Sequence, residues 1–289
     1  MNWILFFIIF ILTFFVYIHI RHHYKIVNDI EIYDMGYVNK KQLEEVCILR
    51  QPITFLLEEE LLDKYFNLQL LLNGFSNMKI NVYEISNNST IPIPVTIKDV
   101  EKLFLQKKKY VSYNNTIFVD DSITKSKLQA LDKYLSPPIT IFKSYDVWLG
   151  TEDVTLPKKS ESYYREYLYI TSGYIECLLI TPNNEKKQSI IVRKSEVLYI
   201  PPYWSYEITF KKNAFICIFR YDTTLSILSR LPQIVLDYID NINTTKISLK
   251  LKSNEEINTN TIIDVSNNML EKSGSDISKK IIDPSNNIV

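Results

Sequence analysis

Between residues 137 and 223 the chain is written as six short apolar segments, each closed by turn residues, and this restricts the available folds more than any other feature. The segments are PPITIFKSYDVWLG (137–150), REYLYITSG (165–173), YIECLLITP (174–182), SIIVRKSEVLYIPP (189–202), SYEITF (205–210) and AFICIFRYDT (214–223). Short strands repeated at this spacing imply an all-β barrel or sandwich. We place the barrel core at about 139–224. LSRLPQIVLDYIDNI (228–242) then reads as a short amphipathic helix.

The other strong signal lies at the amino terminus. Residues 3–20, WILFFIIFILTFFVYIHI, are nearly unbroken apolar residues. As a helix this run rises about 27 Å, close to the thickness of a bilayer's hydrocarbon. Trp3 and Tyr17 suit the two interfaces, and Thr13 can bond within the helix. A cleaved signal peptide would carry basic residues before the apolar run, whereas here RHHYK follows it. We therefore expect residues 1–20 to be one transmembrane anchor and 21–42 a juxtamembrane linker. Arg21 and Lys25 would keep the following domain on the cytosolic side.

Residues 43–135 mix signals. LLEEELLDKYFNLQLLLNGF (56–75) has helical periodicity ending at Gly74, MKINVYEIS (78–86) alternates like a strand, and TIKDVEKLFLQKKKYV (96–111) reads as a helix opening at Thr96. From 244 to 289 the chain is polar, rich in Ser, Asn and Lys, with the composition of a disordered tail.

Charge and titratable residues narrow the chemistry. The 33 basic and 33 acidic side chains balance, so no global pull toward nucleic acid is expected. Three scattered cysteines, Cys47, Cys177 and Cys217, suit a reducing compartment and show no zinc spacing. All three histidines, His19, His22 and His23, precede residue 24. A folded domain without histidine can form neither a 2-His-1-carboxylate iron site nor a Ser-His-Asp arrangement.

Four stretches carry a resemblance: DVWLGT (146–151), YYREYLYITSGYIECLLITPN (163–183), SEVLYIPPYWSYEITF (195–210) and FICIFRYDTTLS (215–226). In this order the block 142–242 resembles the cupin-like (Jumonji-C-like) domain, most closely the cupin-like proteins encoded by large nucleocytoplasmic DNA viruses. The resemblance covers about a third of the chain, and VLYIPPYWSY is its most specific part. It implies a mainly β fold: a cupin-like double-stranded β-helix with a flanking α/β N-terminal region, here preceded by one transmembrane helix. The domain would run from 43 to 243.

Active members of the wider family hold Fe(II) through His-x-Asp/Glu on one strand and a later His, with 2-oxoglutarate as cosubstrate. By resemblance those positions fall near Ser160, Glu161 and Ser162 and at Ser205 or Tyr206, so Ser160, Ser162 and Tyr206 stand where the ligands would be. No metal and no cofactor are expected. Arg165 and Arg220 are candidates for holding an organic anion, the alternative for each being a neighbouring acid such as Glu166 or Asp222. Trp148, Tyr203, Trp204 and Tyr206 are candidate barrel-mouth aromatics, with packing the alternative to a cage for a methylated cation. Tyr206 is expected to plug the volume of the absent metal and histidine.

The expectation for function is a membrane-anchored, catalytically degenerate module acting by interaction, as a scaffold or virion-membrane component. An oxygenase-like enzyme with unconventional ligands such as Glu161 and Tyr206, or an organic-anion receptor, are the alternatives. The membrane is the expected partner through residues 3–20, in a virion or host membrane if the protein is viral. The sequence names no protein partner. A homodimer through Leu231, Ile234, Val235 and Tyr238 is a further option, against packing of that stripe on its own barrel.

Overall fold

The computed structural model describes residues 2–23, 30–57, 73–85, 92–106, 109–228, 230, 231, 235, 236 and 239. The chain divides into two units, residues 1–231 and 232–289, and the fold described here lies in the first. The expected helix at 56–75 falls mostly outside the described residues, as does the tail from 244. The stripe proposed for a dimer is described only in part, Leu231 being exposed.

The carboxyl-terminal half holds β6 (Thr140–Gly150), β7 (Val154–Thr155), β8 (Lys159–Ser160), β9 (Arg165–Ile180), β10 (Lys187–Arg193), β11 (Glu196–Ile200) and β12 (Ser205–Thr223). β9 and β12 are long and pair antiparallel along their length, so each serves two layers. In one layer, β6 pairs with residues 215–223 of β12, these with 165–172 of β9, and the start of β9 with β11. In the other, β7 and β8 pair with 205–210 of β12, these with the end of β9, and that with β10. This order of antiparallel partners is that of a jelly-roll-like β fold. The chain is thus mainly β, built on one large mixed sheet.

Six apolar segments become five strands because two junctions continue the ladder and one breaks it. At Gly173 the chain takes φ +69°, and a Cβ there would lie 2.8 Å from the Ala214 Cα and the Lys212 carbonyl. Only glycine lets β9 bend so closely against the bulge at 211–215 of β12. The 189–202 segment instead splits into β10 and β11 at Ser195, whose φ of +71° makes a tight turn.

Side-chain alternation separates two cores. Trp148, Leu168, Ile170, Leu198, Ile216 and Ile218 point into the barrel against Ile175, Cys177, Tyr206, Ile208 and Phe210 of the second layer. Tyr145, Val147, Tyr167, Tyr169, Tyr199, Cys217 and Phe219 point the other way. A sheet buried on both faces needs continuous apolar runs, as YLYI and FICIF are.

The N-terminal region covers that outer face. Its elements are α1 (Asn2–His23), β1 (Tyr33–Tyr37), α2 (Lys40–Cys47), β2 (Ile53–Leu56), β3 (Lys79–Glu84), β4 (Ile93–Thr96), α3 (Ile97–Phe104), β5 (Tyr110–Ser112), α4 (Thr116–Asp121), α5 (Thr124–Gln129) and α6 (Asp132–Leu135). β2 extends the first layer beyond β11, with β1 parallel to it, and β5, β3 and β4 extend it beyond β6. Two expectations are corrected. The stretch read as a linker contains β1, and the helix expected to 111 stops at Phe104, before β5. Thr96 precedes α3 as expected, but its hydroxyl donates to the Asp99 carboxylate at 2.6 Å rather than capping the backbone.

α1 forms where the anchor was expected, and Thr13 donates to the Ile9 carbonyl at 2.8 Å. Its apolar side chains from Trp3 to Tyr17 are largely exposed, over about 22 Å of helix. Among the described residues, no helix is long and apolar enough to cross a membrane, so the spanning helix of the sequence reading is not found.

Candidate functional site

The barrel interior holds a cluster of charge that its strand register assembles. Glu166 and Arg220 are directly opposite on β9 and β12, and the Arg220 Nε donates to the Glu166 Oε1 at 2.8 Å. From the facing layer, the Tyr206 hydroxyl donates to the other oxygen of Glu166 at 3.2 Å. All three residues are buried. Burial pushes the Glu166 carboxyl above its ordinary value, with the Arg220 guanidinium opposing the rise. Burial together with the Glu166 charge holds the Tyr206 phenol well above 10, so it stays protonated.

Asp146, on the same inner face, is fully buried and collects four donors. These are the backbone N–H groups of Asn114, Asn115 and Val147, at 3.1, 2.7 and 2.8 Å, and the Trp148 indole at 2.6 Å. Burial raises its carboxyl, against the pull of Arg220 and these donors. Asn115 in turn bonds the Ser112 hydroxyl, the Val147 carbonyl and the Asn81 N–H. Asp146 therefore ties the β5–α4 loop to the barrel wall.

β8 decides which side chains near the expected ligand positions face inward. Lys159 pairs opposite Tyr206 and Ser160 opposite Ser205, so Lys159 and Glu161 share the inner face while Ser160 is exposed. Strand alternation makes that register decisive, since neighbours point to opposite faces. The Lys159 Nζ lies 4.5 Å from the Tyr113 ring centroid and 4.4 Å from that of Trp148. The Glu161 carboxylate is 3.9 Å from Arg220 and partly exposed. Arg220 also faces the rings of Trp148 and Tyr163, at 5.7 and 5.3 Å.

These residues do not fit Fe(II). Lys159, Glu161 and Tyr206, the inward side chains nearest the expected positions, offer one carboxylate and no imidazole. Among the described residues, no group of three His, Cys, Asp or Glu side chains could hold a metal ion.

The two arginines proposed for anion binding lie on opposite faces of the first layer. Arg165 grips Glu44 of α2 through two hydrogen bonds, 2.8 and 2.5 Å, and Arg220 grips Glu166. Each guanidinium thus already holds a carboxylate of the chain. Asp222, the other acid considered, receives the Tyr164 N–H, the Ser226 hydroxyl and Arg230. Of the aromatics, Trp148, Trp204 and Tyr206 are buried in the interior core, while Tyr203 is half-buried at φ +68° with its N–H on the Glu161 carbonyl. The reading from sequence missed Lys159, Asp146 and Tyr113. Nothing in PKKSES marks Lys159, and Tyr113 reaches the site from a loop 35 residues before Trp148.

No family model and no curated protein matches the chain.

Proposed function

We propose that the chain is a membrane-tethered, catalytically degenerate cupin-like module that acts by interaction, as a scaffold or virion-membrane component. One observation carries this reading: where the resemblance expects iron ligands, the inward side chains nearby are Lys159, Glu161 and Tyr206, backed by the Glu166–Arg220 pair. The pairing order of β6–β12 supports the double-stranded β-helix, and the resemblance in VLYIPPYWSY supports the cupin-like assignment within it. α1 supports the tether, since each exposed Phe, Ile or Leu of its surface gains roughly 1.5–3 kcal/mol on leaving water.

The test uses the full chain mixed with phosphatidylcholine vesicles, alongside a variant lacking residues 2–23. The full chain should float with the vesicles, and the truncated form should stay in the soluble fraction. Equal behaviour of the two would reject the tether. Metal analysis of the purified chain should find no stoichiometric iron, and iron-dependent turnover of 2-oxoglutarate would reject the degenerate-site reading in favour of the oxygenase alternative.

A further inference from the structure

The end of the barrel at the Gly173 bend carries an open cleft of about 480 Å³, lined by Gly173, Tyr174, Ile191, Arg193, Lys194 and Lys212. Three tight backbone turns build it, Gly173 at φ +69°, Ser195 at +71° and Lys212 at +51°. They bring Lys194, between β10 and β11, and Lys212, from the bulge of β12, beside Arg193 at the end of β10. Ile191 and Tyr174 give the cleft an apolar wall, and all three basic residues are exposed. Among the described residues, no acid lines it. Of the carboxylates nearby, Asp153 is held by Lys211, while Glu196, 3.9 Å from Arg193, lines an adjoining cleft with Asp34.

We propose that this cleft docks the barrel on anionic phospholipid headgroups, an inference that rests on the reading of α1 as a tether. Arg193, Lys194 and Lys212 meet the phosphates, the guanidinium through paired hydrogen bonds, and Ile191 and Tyr174 face the glycerol carbons. Charge alone would also suit an acidic protein; the path of the chain favours the membrane. Ile32 lines the adjoining cleft together with Ile191 and Arg193, and α1 ends nine residues earlier at His23. Nine extended residues span at most about 32 Å, so a bilayer holding α1 lies within reach of this side of the barrel. Each basic residue at an anionic surface strengthens its binding about fivefold, and salt screens the effect. Lys158, bonded to Asn184, marks the barrel's opposite end, where β9 has run seven residues, about 23 Å, from Gly173 to Ile180.

The full chain is mixed with vesicles of phosphatidylcholine alone or containing one-quarter phosphatidylglycerol, and pulsed with acetic anhydride. Peptide mass mapping then compares Lys194 and Lys212 with Lys158. On the anionic vesicles Lys194 and Lys212 should be acetylated at least about fivefold more slowly, relative to Lys158, than on the neutral ones. High salt should abolish the difference, and Arg193→Gln should remove most of it. Flotation with the neutral vesicles reports the tether separately. A chain that floats with both vesicles while its three lysines keep the same relative rates would retain the tether and overturn the docking. Protection on the anionic vesicles without flotation on the neutral ones would support the docking and reject the tether. Protection by soluble polyglutamate or inorganic phosphate, but not by anionic vesicles, would overturn the proposal.

Discussion

Glu166 joins the two layers of the barrel, since its two oxygens are held from opposite sides by Arg220 and Tyr206. A charge left alone in such a place is costly. Arg220→Met should lower stability by about 3–5 kcal/mol, read from denaturant unfolding, while Glu166→Leu combined with Arg220→Met should recover most of the loss. If the double variant were no better than the single one, the pair would be doing something other than compensating buried charge. Tyr206→Phe removes one hydrogen bond to a carboxylate and should cost about 1.5–3 kcal/mol in the same assay. Tyr206 was legible as the residue following the Pro-Pro-Tyr-Trp-Ser run. Its neighbour on β8 was not, because choosing Lys159 over Ser160 depends on a strand register that a two-residue strand does not write into its own sequence.

The bend of β9 and the cap of α2 show how elements depend on single positions. Gly173→Ala would force a methyl against the backbone of residues 212–214 at positive φ. The expected cost is about 1–3 kcal/mol, seen as a lower thermal midpoint, with a further drop for Gly173→Val. Asn39 accepts the Gln42 N–H at 3.0 Å while the Gln42 side chain accepts the Asn39 N–H at 3.1 Å, a capping box that starts α2. Asn39→Ala should cost about 1 kcal/mol by denaturant unfolding, because α2 carries Glu44 to Arg165. The strands of the barrel could be read from their apolar runs, and β3 from its alternation. β1 could not: YDMGY has neither, and it is a strand because β2 lies beside it. The capping box was present in NKKQ all along, masked by the absence of a strong apolar stripe after it.

Buried tyrosines give the whole molecule an alkaline limit. Burial lifts Tyr113 to about 12 and Tyr167, Tyr206 and Tyr221 well above their ordinary 10. In the unfolded chain these phenols ionise near 10, so the folded state alone keeps its protons above that pH. Their contribution is complete below pH 10 and is lost as pH rises through the folded values. Tyrosinate absorbance should therefore show a group of residues that ionise only as circular dichroism reports unfolding; full ionisation of the native protein at pH 10.5 would contradict the packing described. The barrel, the apolar amino-terminal helix and the lack of an imidazole in the folded domain follow from the order of residues, because periodicity and composition are local properties. Which residues meet inside the barrel does not. Asp146, Lys159, Glu166, Tyr206 and Arg220 come from strands up to 74 positions apart, and only closure of the two layers, with its register and alternation, turns them toward one another.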